Sequence, residues 1–289
     1  MSFIQPMMAA SMPKVVPVLD PGKWAIEQKL DGHRLVVQVA RSPMTDHHVT
    51  AWSRYGKERV LPEHLRAAFT LMPYGIYDGE LHVPGGRSYG VTELTNAAEL
   101  VYTAFDVLEL MGVSTVNATY DERRAYLAAM LEAGVVGPLV CPLRIGWSRR
   151  VNSMAEVTAA LVKVWDADGE GLILKRRASR YSVGKRPKGD WIKMKALRTA
   201  VLTVIGFEPS KGLIQDRGEY ATIVLRDENG GTTTVKTLND AECRRLEADA
   251  VNDDPQQHPR IGQLLRIEFH ERTPDGNYRH PRMDRWEDE

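Results

Sequence analysis

The chain has 289 residues, 38 Lys and Arg against 38 Asp and Glu, and 43% apolar residues, the composition of a globular protein with room for a sizeable core and about two domains. Zero net charge leaves any affinity for a polyanion to local charge alone. Two cysteines exclude a zinc ribbon and argue against a disulfide framework, and no apolar run is long enough to span a membrane.

In chain order, the opening "MSFIQPMMAASMPKVVPVLDPGKW" has no basic head and is broken by prolines, so no signal peptide is read and a reducing cytoplasm is expected. "WAIEQKLDGHRLVVQV" follows, with Asp31-Gly32 between two strand-like runs. That is a hairpin signal, and it makes Lys29 either a solvated charge beside a turn or a nucleophile at the mouth of a site. Residues 35–39, 76–83 and 101–108 read as strands, and 61–72 as a helix with Leu61, Leu65, Ala68 and Met72 at helical spacing. Capping-box pairs, Thr119 with Glu122 and Ser153 with Glu156, open two further helices, which Gly134 and Gly169 are expected to end.

The texture changes after Lys195. Strands at 201–208 and 220–226, the turn "DENGG", a strand at 232–238, a helix at 240–250 and a strand at 263–270 follow, with 247–259 as a loop. That is the size and order of a small barrel such as the OB-fold. A boundary near residue 197 gives domains 1–196 and 197–289, and the fold class is α+β.

From Lys175 to Lys195 nine basic residues meet one acid, Asp190, in an otherwise neutral chain. Tyr181 and Trp191 lie among them. Such a run is either a solvated loop or a phosphate-binding surface beside a site.

Several short segments occur in a fixed order: Lys29-x-Asp31-Gly32-x-Arg34, Ser53-Arg54-Tyr55-Gly56, Asp78-Gly79-Glu80-Leu81, Phe105-Asp106, Glu170-Gly171-Leu172-Ile173-Leu174-Lys175, Trp191-Ile192-Lys193-Met194-Lys195 and Arg282-x-Asp284-Arg285. This ordered set resembles the covalent nucleotidyltransferase superfamily, and within it the small two-domain ATP-dependent DNA ligases of bacteriophages and some bacteria. The resemblance covers essentially the whole chain. It implies an adenylation domain of antiparallel sheets flanked by helices, followed by the OB barrel. It also implies ATP and Mg²⁺ (or Mn²⁺) as cofactors, nicked double-stranded DNA as partner, and a monomer working in replication, repair or recombination.

A lysine amine attacks phosphorus only when deprotonated, so neighbouring cations and partial desolvation have to favour its neutral form. Two lysines one residue apart on a strand share a face, so Lys193 and Lys195 can supply that charge and hold the α-phosphate. The resemblance implies that Lys29 carries AMP, that Phe105 stacks on adenine, and that Glu27 accepts from the adenine amino group, favouring ATP over GTP. It gives Glu80 a ribose or metal contact and Glu170 a metal contact. Arg34 and Arg54 are assigned to ribose, phosphate or the DNA 5′-phosphate, and Arg282, Asp284 and Arg285 to pyrophosphate. Asp31 shapes the turn, contacts metal, or both. Arg176, Arg177, Lys185, Arg186 and Lys188 are expected to bind DNA.

Two other readings compete. An RNA ligase or capping-type enzyme shares much of the pattern, although the Ser53–Gly56 segment and the "EGLILK" wording fit DNA ligases better. A non-catalytic OB-containing nucleic-acid-binding protein would not need Lys29.

Overall fold

The computed structural model describes residues 3–13, 18–41, 48–86, 91, 97–132, 142–195, 198–209, 218–250, 255–269, 271–273 and 275–287. The chain divides into two units, Met1–Lys195 and Ala196–Glu289. Residues 196 and 197, where the sequence places the boundary, lie outside the described residues, as do Gly134 and Cys141. No helix among the described residues is long and apolar enough to cross a membrane.

The first unit contains β1 (Ala10–Ser11), β2 (Trp24–Lys29), β3 (His33–Ala40), β4 (His48–Ser53), β5 (Glu58–Arg59), α1 (Glu63–Phe69), β6 (Gly75–His82), β7 (Val101–Leu110), β8 (Val113–Ser114), α2 (Tyr120–Glu132), β9 (Leu143–Ile145), β10 (Ser148–Val151), α3 (Met154–Asp166), β11 (Gly171–Arg176) and β12 (Trp191–Lys195). One sheet runs β1-β12-β11-β2-β10; the other runs β5-β4-β3-β6-β7-β8, with β9 also on β7. Neighbours are antiparallel except β1 with β12 and β9 with β7.

The hairpin expected at Asp31-Gly32 does not form. β2 pairs with β10 and β11, whereas β3 pairs with β4 and β6, so the dipeptide carries the chain from one sheet to the other. Neither residue has the positive φ of a tight hairpin turn. Gly32 is there for proximity instead: a Cβ would lie 2.3 Å from the Leu81 carbonyl oxygen.

Three apolar clusters hold this unit. Trp24, Ile26, Leu172, Leu174, Ile192 and Met194 pack one face of the first sheet against Val157 and Leu161 of α3. Leu35, Val37, Tyr77 and Tyr102 pack the far face of the second sheet against α1 and α2. Between the sheets lie Met7, Val36, Ile76, Leu108, Tyr181 and Trp191. Alternation along each strand therefore leaves the other face of β2, β11 and β12 turned toward the second sheet. Arg123 of α2 reaches Asp106 of β7 through two hydrogen bonds of 2.6 and 3.1 Å, both side chains buried.

The Thr119–Glu122 capping box forms in full: Thr119 N donates to Glu122 at 2.7 Å and Glu122 N to Thr119 Oγ1 at 3.3 Å. At α3 Ser153 Oγ caps the helix by accepting from Glu156 N, but the Glu156 carboxylate reaches back to Asn152 N, at 3.2 Å, instead of to Ser153 N. α3 ends at Asp166, and the left-handed residue after it is Asp168, with φ 60°, rather than the expected Gly169.

The second unit contains β13 (Arg198–Glu208), β14 (Thr222–Arg226), β15 (Thr232–Lys236), α4 (Asp240–Asp249), β16 (Leu264–Phe269), β17 (Glu271–Arg272), β18 (Tyr278–Arg279) and β19 (Arg282–Trp286). Five strands form an antiparallel sheet in the order β15-β14-β13-β16-β19, and Cα atoms of the edge strands β15 and β19 come within 8 Å of each other. Leu202, Val204, Ile223, Leu225, Leu265 and Ile267 are at the centre of its core. The "DENGG" turn joins β14 to β15, its Asp227 carboxylate accepting from the backbone N–H of Asn229 and Gly231.

Candidate active site

Register across β2, β11 and β12 assembles the site. Lys29 stands opposite Gly171 and Gly171 opposite Lys195; Glu27 stands opposite Ile173 and Ile173 opposite Lys193. Cross-strand partners project to one face, so Glu27, Lys29, Lys193 and Lys195 share it. Gly171 keeps the centre of this row bare. Its φ of 146° and a virtual Cβ 2.0 Å from the Met194 carbonyl oxygen exclude any side chain.

Glu170 gathers the cations. One of its oxygens accepts from Lys29 Nζ, and the other lies 2.6 Å from Lys195 Nζ. Glu80 projects toward the same group from the second sheet. Burial raises its pKa to about 7, against the pull of Lys29 and Arg34, while Glu170 and Asp78 add to the rise. Beside it Arg34 forms a two-pronged ion pair with Asp78, at 2.8 and 2.5 Å, and Tyr181 donates to the same carboxylate at 2.5 Å.

Glu27 is buried and held from both sides. Lys175 Nζ lies 2.6 Å from its Oε2, and the Tyr120 hydroxyl donates to its Oε1 at 2.6 Å. Lys175 is itself buried, 5.0 Å from the Phe105 ring centroid, 5.1 Å from Tyr120 and 4.0 Å from Trp191. Burial pulls its pKa down and Glu27 opposes that. The carboxylate and three ring faces replace its lost hydration. Lys175 therefore does not belong to an exposed basic surface, although the sequence places it in the basic run.

Beside these groups is a cavity of about 380 Å³ lined by Glu27, Lys29, Phe105 and Glu170, with Asp31 on its wall; Arg34, Glu80, Lys193 and Lys195 are not among its lining residues. Among the lining residues not picked out from the sequence are His82, Thr103, Arg144 and Trp147. His82 is hydrogen-bonded to Thr103 Oγ1 at 2.8 Å, and burial lowers its pKa, with Arg144 acting the same way. Thr103 faces Glu80 on one neighbouring strand and Arg144 on the other. Their spacing in sequence carries no motif; only the sheet makes them neighbours.

Other expected site residues lie elsewhere. Arg54 is exposed after β4, its guanidinium 4.9 Å from the Tyr55 ring, and does not line the cavity. Arg176, Lys185, Arg186 and Lys188 are exposed. Arg177 does not stand with them: it is bidentate to Asp121 and donates to the Gly22 carbonyl, tying the end of β11 to α2. Arg282, Asp284 and Arg285 lie on β19 of the second unit, the two arginines exposed and Asp284 half-buried.

The chain is similar to known proteins in both sequence and fold. The family model described as ATP dependent DNA ligase domain matches residues 6–195. The chain is 26% identical over 278 residues to the bifunctional non-homologous end joining protein LigD of Bacillus subtilis strain 168, covering 87% of this chain and 43% of that protein. It is 27% identical over 278 residues to a probable DNA ligase of Streptomyces griseus, covering 87% of this chain and 53% of that one. It thus spans about half the length of these two relatives. A solved structure of a Lig E DNA ligase superposes with a TM-score of 0.72 at 19% identity, covering 93% of this chain and 94% of that one. At that identity the likeness speaks for the fold.

Proposed function

The chain belongs to the ATP-dependent DNA ligase family, and on that premise we propose that it seals nicks in duplex DNA through AMP carried on Lys29. The observation that carries this reading is the meeting of Lys29 and Lys195 on Glu170, beside a cavity whose walls hold Glu27 and Phe105.

The reaction is three transfers at phosphorus. In the first, Lys29 Nζ forms a bond to the α-phosphorus of ATP as the bond to pyrophosphate breaks. Glu170, which accepts from Nζ in the resting protein, keeps the amine in place, and the amine gives up its proton to solvent. In the second, the 5′-phosphate at the nick attacks the same phosphorus and frees Nζ. In the third, the 3′-hydroxyl attacks the activated 5′-phosphate and AMP departs. Little covalent chemistry falls to the protein beyond Lys29, so positioning and charge neutralisation provide most of the acceleration.

The remaining residues divide accordingly. Phe105 offers its flat face to adenine, Glu27 accepts from the adenine amino group, and Lys193 with Lys195 holds the α-phosphate. Arg34 and Glu80 serve the ribose side, and Arg54 offers a donor fork to the DNA 5′-phosphate. Magnesium or manganese fits Glu80 and Glu170. Magnesium binds through one or two protein carboxylates with phosphate and water completing the shell, and no larger acidic or histidine cluster occurs among the described residues. Held by these two carboxylates, such an ion would supply positive charge to offset that of the departing pyrophosphate.

The second unit is read as an OB-fold. Five strands in the order β15-β14-β13-β16-β19, neighbouring edges and a helix between the third and fourth strands support that. Its Arg282, Asp284 and Arg285 orient pyrophosphate in the first step. Exposed Arg176, Lys185, Arg186 and Lys188 hold the DNA backbone.

Sealing assays on end-labelled nicked duplexes test the reading. Joining of nicked DNA with ATP and Mg²⁺ is expected. Joining of nicked RNA alone, labelling by GTP, or DNA binding without joining would each replace it.

A further inference from the structure

We propose that Tyr120 is a positioning residue for base selection: with Lys175 it fixes the Glu27 carboxylate as an acceptor-only group, so that the pocket admits a base bearing an amino group at that edge and rejects one bearing a carbonyl oxygen. This rests on the proposed function, in which Glu27 meets the base.

The network runs in one direction. Tyr120 has a single hydroxyl hydrogen, and it goes to Glu27 Oε1 at 2.6 Å. The Ser148 Oγ, 2.7 Å from the same hydroxyl, then donates to the tyrosine oxygen, having no other role open to it there. Lys175 has only donors and lies 2.6 Å from Oε2. Tyr120 therefore donates into the carboxylate, Ser148 donates to Tyr120 behind it, and Lys175 sets its charge against the other oxygen. Burial, reinforced by Glu27, pushes the Tyr120 phenol pKa up, which keeps the hydroxyl a donor.

A carboxylate tied this way cannot turn its oxygens aside or present an O–H. Its remaining lone pairs meet an exocyclic amino group favourably and a carbonyl oxygen with acceptor-to-acceptor repulsion. Selectivity of this kind comes from the unfavourable pairing as much as from the good one. The same Lys175 lies 5.0 Å from the Phe105 ring, so one buried cation braces both the residue proposed to stack on the base and the one proposed to read its edge.

Tyr120 lies outside the ordered motifs, 93 residues from Glu27 in sequence. It comes to the site because α2 begins there: Thr119 caps the helix and Tyr120 N donates to the Ser179 carbonyl, fixing where the ring enters.

The test is direct titration of the full-length protein with ATP and with inosine triphosphate, whose base carries a carbonyl oxygen in place of the amino group. Wild type should bind ATP more tightly. Tyr120→Phe, which keeps the ring and deletes only the hydroxyl, should shrink that preference roughly ten-fold to a hundred-fold, the range for losing a hydrogen bond to a charged group. Ser148→Ala should shift the ratio the same way by less. An unchanged ratio in folded Tyr120→Phe overturns the proposal and leaves the proposed function intact. A wild-type protein that binds both nucleotides equally overturns the placement of the base at Glu27, and the proposal with it.

Discussion

Lys195 Nζ lies 2.6 Å from Oε1 of Glu170, the carboxylate whose other oxygen accepts from Lys29. The two lysines sit on strands separated by β11, and bare Gly171 between them lets both reach the same acid. Lys195 thus both occupies the acid that holds the nucleophile and adds positive charge where a phosphate has to arrive.

Removing that charge should cost the first transfer more than it costs the fold. Lys195→Ala is expected to slow AMP adduct formation about 100-fold or more, the usual effect of losing one group that stabilises transition-state charge. Single-turnover labelling with ATP measures it. Thermal unfolding should shift little, because Lys195 is only partly buried.

Gly32→Ala tests the passage between the sheets. The new methyl would meet the Leu81 carbonyl oxygen at 2.3 Å, His82 Cβ at 2.8 Å and Glu80 Cγ at 3.0 Å. Backbone cannot yield as a flexible side chain can, so a loss of about 1–3 kcal/mol in urea unfolding is expected. Displacement of Glu80 should lower adduct formation at the same time. A purely conformational role for this glycine would leave the second effect out.

Glu80 gives a pH signature. Its carboxyl has a pKa of about 7 in the folded protein against an ordinary value near 4.5, so the native state binds its proton more tightly than the unfolded chain. Stability of the metal- and nucleotide-free protein should therefore fall as pH rises from about 4.5 to 7, by up to about 3 kcal/mol from this group. Denaturation of Glu80→Gln across that range should give a flatter profile than wild type.

Neutralising Arg176, Lys185, Arg186 and Lys188 together should weaken binding to nicked DNA. The dependence of log K on log salt should become shallower, by up to about 0.9 for each phosphate no longer neutralised. AMP adduct formation should persist. Fluorescence titration over a series of salt concentrations measures the slope, and an unchanged slope excludes the patch. Arg177→Gln is the contrasting variant. It breaks the pair with Asp121 and should lower stability more than it alters the slope.

Local patterns located most elements well: the strand at 76–83 is Gly75–His82, that at 101–108 is Val101–Leu110, and the helix at 240–250 is Asp240–Asp249. They failed where pairing is remote. Asp31-Gly32 has the composition of a hairpin, yet β2 finds its partners at residues 148–151 and 171–176. No window of adjacent residues contains that information. Lys175 looks in sequence like one more charge in a basic run, and register places it between Ala25 and Trp191 on the side facing Phe105. Tyr120, His82 and Arg144 reach the cavity region through sheet and helix packing, with nothing in their spacing to mark them. The ordered motifs, by contrast, already single out Lys29, Glu170 and Lys195, because their chemistry and their strand positions point the same way.

The most direct test is peptide mapping of the protein after incubation with ATP and Mg²⁺, before any DNA is added. The account predicts AMP attached at Lys29 Nζ, stoichiometric in wild type and absent from Lys29→Ala. AMP found on another residue, or sealing of nicked DNA by Lys29→Ala, would contradict it.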